Sequence, residues 1–326
     1  MHPPISSPPH STRARAPEIS KPEDAPPPPP PPLPAGEVSF VEHRGHRIAC
    51  MSHVNPEADR LPVVWVHGLT ASFRFWEAAM YAEVRQRRSW YSVSLPLHHP
   101  STFRAEPDVD LLSEQLFAEL LAKPIEALIP EGKFHLVGYS LGGFACLNYA
   151  AKFGERVASI ISIGGFMTGR ARGLEGVLQF LSGGRIIRPA IFRASWWIMQ
   201  RHVVFLKLAT LFYARRRRAL LNYPALNATL RLIFQDVRRH DIEGQRALFR
   251  YLLEMDLMDE LEALTHPVLV IAGDKDPIIP FGHQQECAQQ LANGELAVLP
   301  GVGHVPFAEA AGEFRGLVLG WLDKRG

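Results

Sequence analysis

Short apolar runs that close on glycine recur along this chain, and most are followed by stretches where leucine, alanine or phenylalanine returns every third or fourth position. Residues 61–66 (L-P-V-V-W-V) are continuously apolar and read as a buried strand, and 90–95, 134–137, 157–163, 267–272 and 295–299 read as further strands. Two earlier runs, 38–41 and 47–52, flank a turn at Arg44-Gly45 and read as a short strand pair. Helical spacing marks 75–87 and 108–128, the latter through Leu111, Leu112, Leu116, Leu120 and Leu121, with Asp108 or Asp110 in its first turn. An Ala-rich helix through Ala151 follows the run at 134–137, and further helices fall at about 282–291 and 308–324. Strand and helix alternate with short links, which predicts an α/β fold with a mostly parallel, doubly wound sheet.

Two regions break the alternation. Residues 1–35 hold 14 of the 28 prolines, including the unbroken run Pro26 to Pro32. Such a stretch lacks backbone donors and apolar periodicity, so it predicts a disordered Pro-rich tail, and it has no apolar run of a secretory signal. Between β-like segments, residues 166–265 are helical in character, which predicts a helical cap inserted into a core made of 36–165 and 266–326.

Composition bounds the rest. At 326 residues, 47% hydrophobic and 21% charged, the chain suits one sizeable core with an insertion. The net charge of +2 hides an asymmetry: residues 170–218 carry eleven Lys and Arg against one acid, Glu175. Trp196, Trp197, Phe205, Phe212 and Tyr213 lie in the same segment. Residues 191–213 are apolar enough to raise the question of a membrane span, but Arg193, Arg201 and Lys207 interrupt them at three depths. A basic, aromatic-rich surface fits peripheral contact with anionic membrane; solvated arginines over a packed apolar face are the plainer alternative. The run Arg215 to Arg218 comes without any nucleic-acid reading motif, so no nucleic-acid partner is expected. Cys50, Cys146 and Cys287 are odd in number and far apart, which argues against a disulfide scaffold or zinc site and for a reducing, cytoplasmic location. His43/His46 and His98/His99 lack carboxylate or thiol neighbours at ligand spacing and read as loop histidines, with no metal expected.

Chemistry concentrates at residues 138–143, G-Y-S-L-G-G, set between a strand and a helix. That is the G-x-S-x-G pattern in the context that makes it a nucleophile turn: the glycines remove side chains that would collide, leaving Ser140 exposed at a helix N-terminus. H-G-L-T stands at 67–70, G-D-K-D-P-I-I-P at 273–280 and G-V-G-H-V-P-F at 301–307. With these motifs in this order, the chain from about residue 36 to 326 resembles the α/β-hydrolase fold family, as a serine hydrolase with a helical cap.

The resemblance implies a Ser140, Asp276, His304 triad in the order that fold uses. His304 would be the base that activates the serine, and an acid on its other nitrogen would fix its tautomer. Asp274 and Asp276 both follow the strand at 267–272; the motif places the acid at Asp276 and leaves Asp274 to cap loop amides. The oxyanion would take backbone N–H groups from Leu141, directly after the nucleophile, and, by resemblance, from Leu69. No cofactor is implied. The loop S-L-P-L-H-H-P-S at 94–101 departs from the glycine-rich form common among relatives, with Pro96 and Pro100 left to hold the turn. A serine nucleophile also sets the chain apart from the branches that use aspartate. The expected reaction is hydrolysis of a hydrophobic or acyl-chain ester through an acyl-enzyme. A thioesterase, a C–C bond hydrolase or an acyltransferase would use the same triad, and a membrane-surface or partner-binding module on an inactive hydrolase fold is the alternative from another class.

Overall fold

The computed structural model describes residues 36–104 and 112–326. The expected Pro-rich tail at 1–35 lies outside the described residues, as do Asp108, Asp110 and Leu111. In chain order the elements are β1 (Glu37–His43), β2 (His46–His53), β3 (Val63–Val66), α1 (Phe75–Ala79), α2 (Ala82–Arg87), β4 (Trp90–Val93) and α3 (Glu114–Leu128). Then come β5 (Phe134–Tyr139), α4 (Leu141–Phe153) and β6 (Val157–Ile163). Seven helices follow before the sheet resumes: α5 (Gly173–Ser182), α6 (Ile187–Met199), α7 (Val203–Tyr213), α8 (Arg217–Asn222), α9 (Leu226–Val237), α10 (Ile242–Tyr251) and α11 (Met258–Leu261). The chain closes with β7 (Val268–Gly273), α12 (Phe281–Gln290), β8 (Gly294–Leu299), α13 (Pro306–Glu309) and α14 (Ala311–Lys324).

All eight strands form one sheet in the order β1-β2-β4-β3-β5-β6-β7-β8. β1 and β2 pair antiparallel, as do β2 and β4, and every later pair is parallel. Strand side chains alternate between faces, so a strand covered on both sides must be apolar throughout. β3 shows this directly. Val64 and Val66 join one core cluster, while Val63 and Trp65 join the cluster on the opposite face, and all four are fully buried. α4 goes further: Leu141 to Ala150 are buried on every side, which explains its run of small and apolar residues.

Two helices differ from their sequence patterns. The single amphipathic helix expected over 75–87 is broken, because Met80 and Tyr81 adopt extended backbone angles between α1 and α2 while their side chains pack on the core. The helix expected from 108 begins at Glu114, capped by Ser113, whose hydroxyl accepts the Leu116 amide at 3.1 Å. The parallel strands point their carboxyl ends at one edge, and the turns after β3, β5, β7 and β8 meet there, where open α/β sheets place their ligands.

Candidate active site

Ser140 lies between β5 and α4 with φ 54° and ψ −117°, a conformation L-residues rarely adopt. The flanking glycines make it possible. A Cβ on Gly138 would overlap the Gly142 carbonyl, and one on Gly142 would overlap the Val66 carbonyl of β3. The turn is thus pressed against the neighbouring strand with the serine hydroxyl at its tip.

His304 follows β8 and Asp276 follows β7, 28 residues apart, and the sheet brings both to Ser140. The Asp276 carboxylate is buried, with one oxygen accepting the Ile278 and Ile279 amides at 2.8 and 3.0 Å. Its other oxygen accepts from Gln284 Nε2 at 3.1 Å and from His304 Nδ1 at 2.7 Å. A carboxylate only accepts, so Nδ1 carries the proton and Nε2 presents a lone pair, 3.1 Å from Ser140 Oγ. Burial alone would lower the His304 pKa, but the charge and hydrogen bond of Asp276, with Glu175 and Glu309 farther off, outweigh it and leave the imidazole above its ordinary value. Asp274 lies apart from this chain of bonds and accepts the Gly301 amide, as a loop-capping residue.

Leu69 and Leu141 line, with Ser140, a cavity of about 290 Å³ walled by Phe166, Leu252, Ile278 and Ile279. A larger space of about 770 Å³ opens from the same serine under α7, α8 and α9, with Phe75, Leu206, Leu230, Ile233 and Phe307 among its walls. Ser140 stands where two apolar chambers meet.

The alpha/beta hydrolase fold family model matches residues 62–311. The chain belongs to the α/β-hydrolase fold family. It is similar to a Pseudomonas putida protein described as the dihydrolipoyllysine-residue acetyltransferase component of an acetoin cleaving system, with 28% identity over 81% of this chain and 64% of that protein, so it spans just under two thirds of that relative. It is also similar to the pimeloyl-[acyl-carrier protein] methyl ester esterase of Nitrosomonas europaea, with 24% identity over 80% of this chain and 96% of the esterase. Among solved structures, an esterase from Rhodococcus sp. ECU1013 superposes with a TM-score of 0.68 at 21% identity, over 90% of this chain and all of that one.

Several residues of this α/β hydrolase site escaped sequence reasoning. Glu175 of α5, the single acid of the basic segment, borders both chambers beside Ser140. One of its oxygens accepts the Tyr213 hydroxyl at 2.7 Å, the other is buried without a partner, and burial raises its pKa. Glu309 is buried and accepts four amides: Gly303 at 3.0 Å, Val305 at 3.2 Å, and Arg215 and Arg216 both at 2.7 Å. The His304 amide itself donates to the Tyr213 carbonyl at 2.8 Å. Glu309 therefore joins the histidine loop to the segment between α7 and α8. Its only sequence signal was an acid placed among apolar residues shortly after His304.

The histidines also need correction. His98 lies in a loop, as expected, but is fully buried there, its ring edge-on to both His67 and His240. His67 donates to the Gly68 carbonyl and accepts the Leu95 amide, while His240 donates to Ala71 and accepts the His99 amide. Burial keeps all three neutral, lowering His98 to about 4 and the other two well below their ordinary value. Together they lock the loop carrying Leu69 to the loop after β4 and to the end of α9. His43 and His46 are strand residues at the β1–β2 turn, and His43 lies 3.0 Å from Glu119.

Proposed function

We propose that this protein hydrolyses carboxylic esters with an apolar acyl or alcohol part, using Ser140 as nucleophile, His304 as base and Asp276 as its orienting acid. The observation that carries the reading is the unbroken chain of bonds from Asp276 through His304 to Ser140, at 2.7 and 3.1 Å, set between two apolar chambers. Nε2 of His304 takes the hydroxyl proton as Oγ attacks the ester carbonyl, and the Asp276 charge stabilises the imidazolium that results. The Leu69 and Leu141 amides would receive the oxyanion. Collapse of that intermediate expels the alcohol, which takes the proton from His304. A water molecule then repeats the sequence on the acyl-enzyme and releases the acid. The name of the Nitrosomonas relative, a methyl ester esterase, supports ester chemistry here. Residues 166–265 act in this reading as a cap over core segments 36–165 and 266–326, with α7 and α9 roofing the larger chamber.

A fluorophosphonate serine-hydrolase probe, applied to wild type and Ser140→Ala, tests the proposal. Labelling confined to wild type, with turnover rising as the acyl chain lengthens, is the expected result. A folded wild type that neither labels nor hydrolyses any ester would refute the triad assignment. A sharp preference for short, water-soluble esters would refute the substrate class.

A further inference from the structure

Twelve of the sixteen large hydrophobic residues that stand exposed among the described residues fall within positions 177–221. They are ordered by the helices that carry them. On α6, Ile187, Ile191 and Ile198 recur at helical spacing on an outer stripe beside Trp197, while Pro189, Phe192 and Trp196 fill the inner face. On α7, Val204, Phe205, Leu208 and Phe212 share the outside, whereas Leu206, Ala209, Thr210 and Tyr213 line the larger chamber. The core therefore accounts for one apolar face of each helix and leaves a second without a partner among the described residues. Exposure is substantial: Ile186, Ile187 and Phe212 are 78, 74 and 61% accessible.

Charge selects the occupant. Positions 176–235 contain no Asp or Glu, and Arg185, Arg188, Arg193, Arg201, Arg217 and Arg218 all stand exposed. Arg188 lies over the Phe180 ring and Arg201 over Trp197, each at 3.8 Å, so cations and apolar groups form one mixed surface. A second copy docking face to face would oppose like charges across a dry interface, which costs rather than gains. A spanning segment does not fit, since no described helix is long and apolar enough to cross a membrane. Apolar side chains of this size flanked by arginine suit the plane of an anionic lipid surface, where they sink to the acyl boundary while the cations meet headgroups. We propose that the outer faces of α6 and α7 dock this enzyme on an anionic membrane. Part of the Arg215–Arg218 run is already engaged in the fold: the Arg216 guanidinium holds the Pro300 carbonyl and Arg217 the Leu211 carbonyl. On α6 itself Arg193 is paired with Glu243, so the docking charge comes chiefly from Arg185, Arg188 and Arg201.

The test is co-sedimentation of the full chain with phosphatidylcholine vesicles, with and without phosphatidylglycerol, alongside hydrolysis of a soluble ester on the same samples. Binding is expected on the anionic vesicles, weakening with salt. Trp197 is the one exposed tryptophan, so its emission should shift to the blue on binding. Arg185→Gln/Arg188→Gln should weaken binding roughly thirtyfold, at about 1 kcal/mol for each charge near the surface. Phe205→Ser/Phe212→Ser should abolish it, and both variants should keep wild-type turnover of the soluble ester, which also reports that they fold. No binding by an active wild type overturns the proposal. So does binding indifferent to these substitutions, or self-association that buries Trp197 without lipid. Loss of ester turnover in wild type bears on the catalytic reading alone.

Discussion

Replacing Asp276 with asparagine changes almost no volume but reverses the polarity of one hydrogen bond. The asparagine carbonyl can keep the Ile278 and Ile279 amides, so the loop should stay folded. Its NH₂ group then occupies the position 2.7 Å from His304 Nδ1, next to another donor, Gln284 Nε2. Nδ1 can meet that donor only by giving up its proton, which moves the proton to Nε2, the atom that must accept from Ser140. Restoring the working tautomer means forfeiting the bond, worth about 1.5–3 kcal/mol for one to a charged group. The imidazolium formed on attack also loses its counter-charge. Two unit charges about 4 Å apart at an effective dielectric constant of about 20 contribute about 4 kcal/mol, roughly a thousandfold in rate. Together these predict a fall in kcat of about four to five orders of magnitude, with KM for a soluble ester little changed and thermal unfolding close to wild type. Steady-state kinetics on a p-nitrophenyl ester measures it. Asp274→Asn, which retains an acceptor for the Gly301 amide, should stay within about threefold on the same folded-state logic. If Asp276→Asn kept a tenth of wild-type activity, or if Asp274→Asn proved the more damaging, the argument from Nδ1 would be wrong.

The pH profile of kcat/KM should show an acid limb above the ordinary imidazole value, because His304 must be neutral to accept a proton and Asp276 raises its pKa. Stability runs the opposite way: the raised folded-state pKa adds stability that is fully present below the unfolded value and is lost as pH rises through the folded one, so unfolding midpoints across pH 5–8 should register this group as favouring acid. Glu309→Ala leaves the amides of Gly303, Val305, Arg215 and Arg216 without their acceptor; the first two are buried, and at about 1–3 kcal/mol for each buried donor left unpaired it should lower unfolding free energy by at least about 2 kcal/mol. Its residual kcat should fall more than KM rises, whereas a purely global loss of fold would reduce active enzyme with both constants unchanged.

The doubly wound sheet was legible because each central strand must be apolar on both faces, a demand that Val63 to Val66 meet without exception. Ser140 was legible for a related reason: a strained turn wedged against β3 tolerates only glycine at 138 and 142, and that shows in the letters. What escaped depends on partners far along the chain. The break at Met80 and Tyr81 has no glycine or proline to announce it and follows from packing against the core. That the loop residue His98 is buried was not legible, because nothing nearby in sequence says that His240, 142 positions on, will close over it. Glu175 and Glu309 sit among residues that gave no motif, and their roles arise only where Tyr213 and the histidine loop meet.

The join at Tyr213 also bears on how anything reaches the serine. The C-terminal end of α7 is tied to the His304 loop by the Tyr213 carbonyl on the His304 amide, by Glu309 on Arg215 and Arg216, and by Arg216 on Pro300. Swinging that end outward would break these bonds together and drag the imidazole from its register with Asp276. It is a fulcrum. The other end of α7, near His202, begins with a histidine cap at the surface, and the bonds beside it run to the end of α9 instead, from Gln200 to the Val237 and His240 carbonyls. The two ends of this helix are thus held to different parts of the molecule, and only one of them bears on the placement of His304.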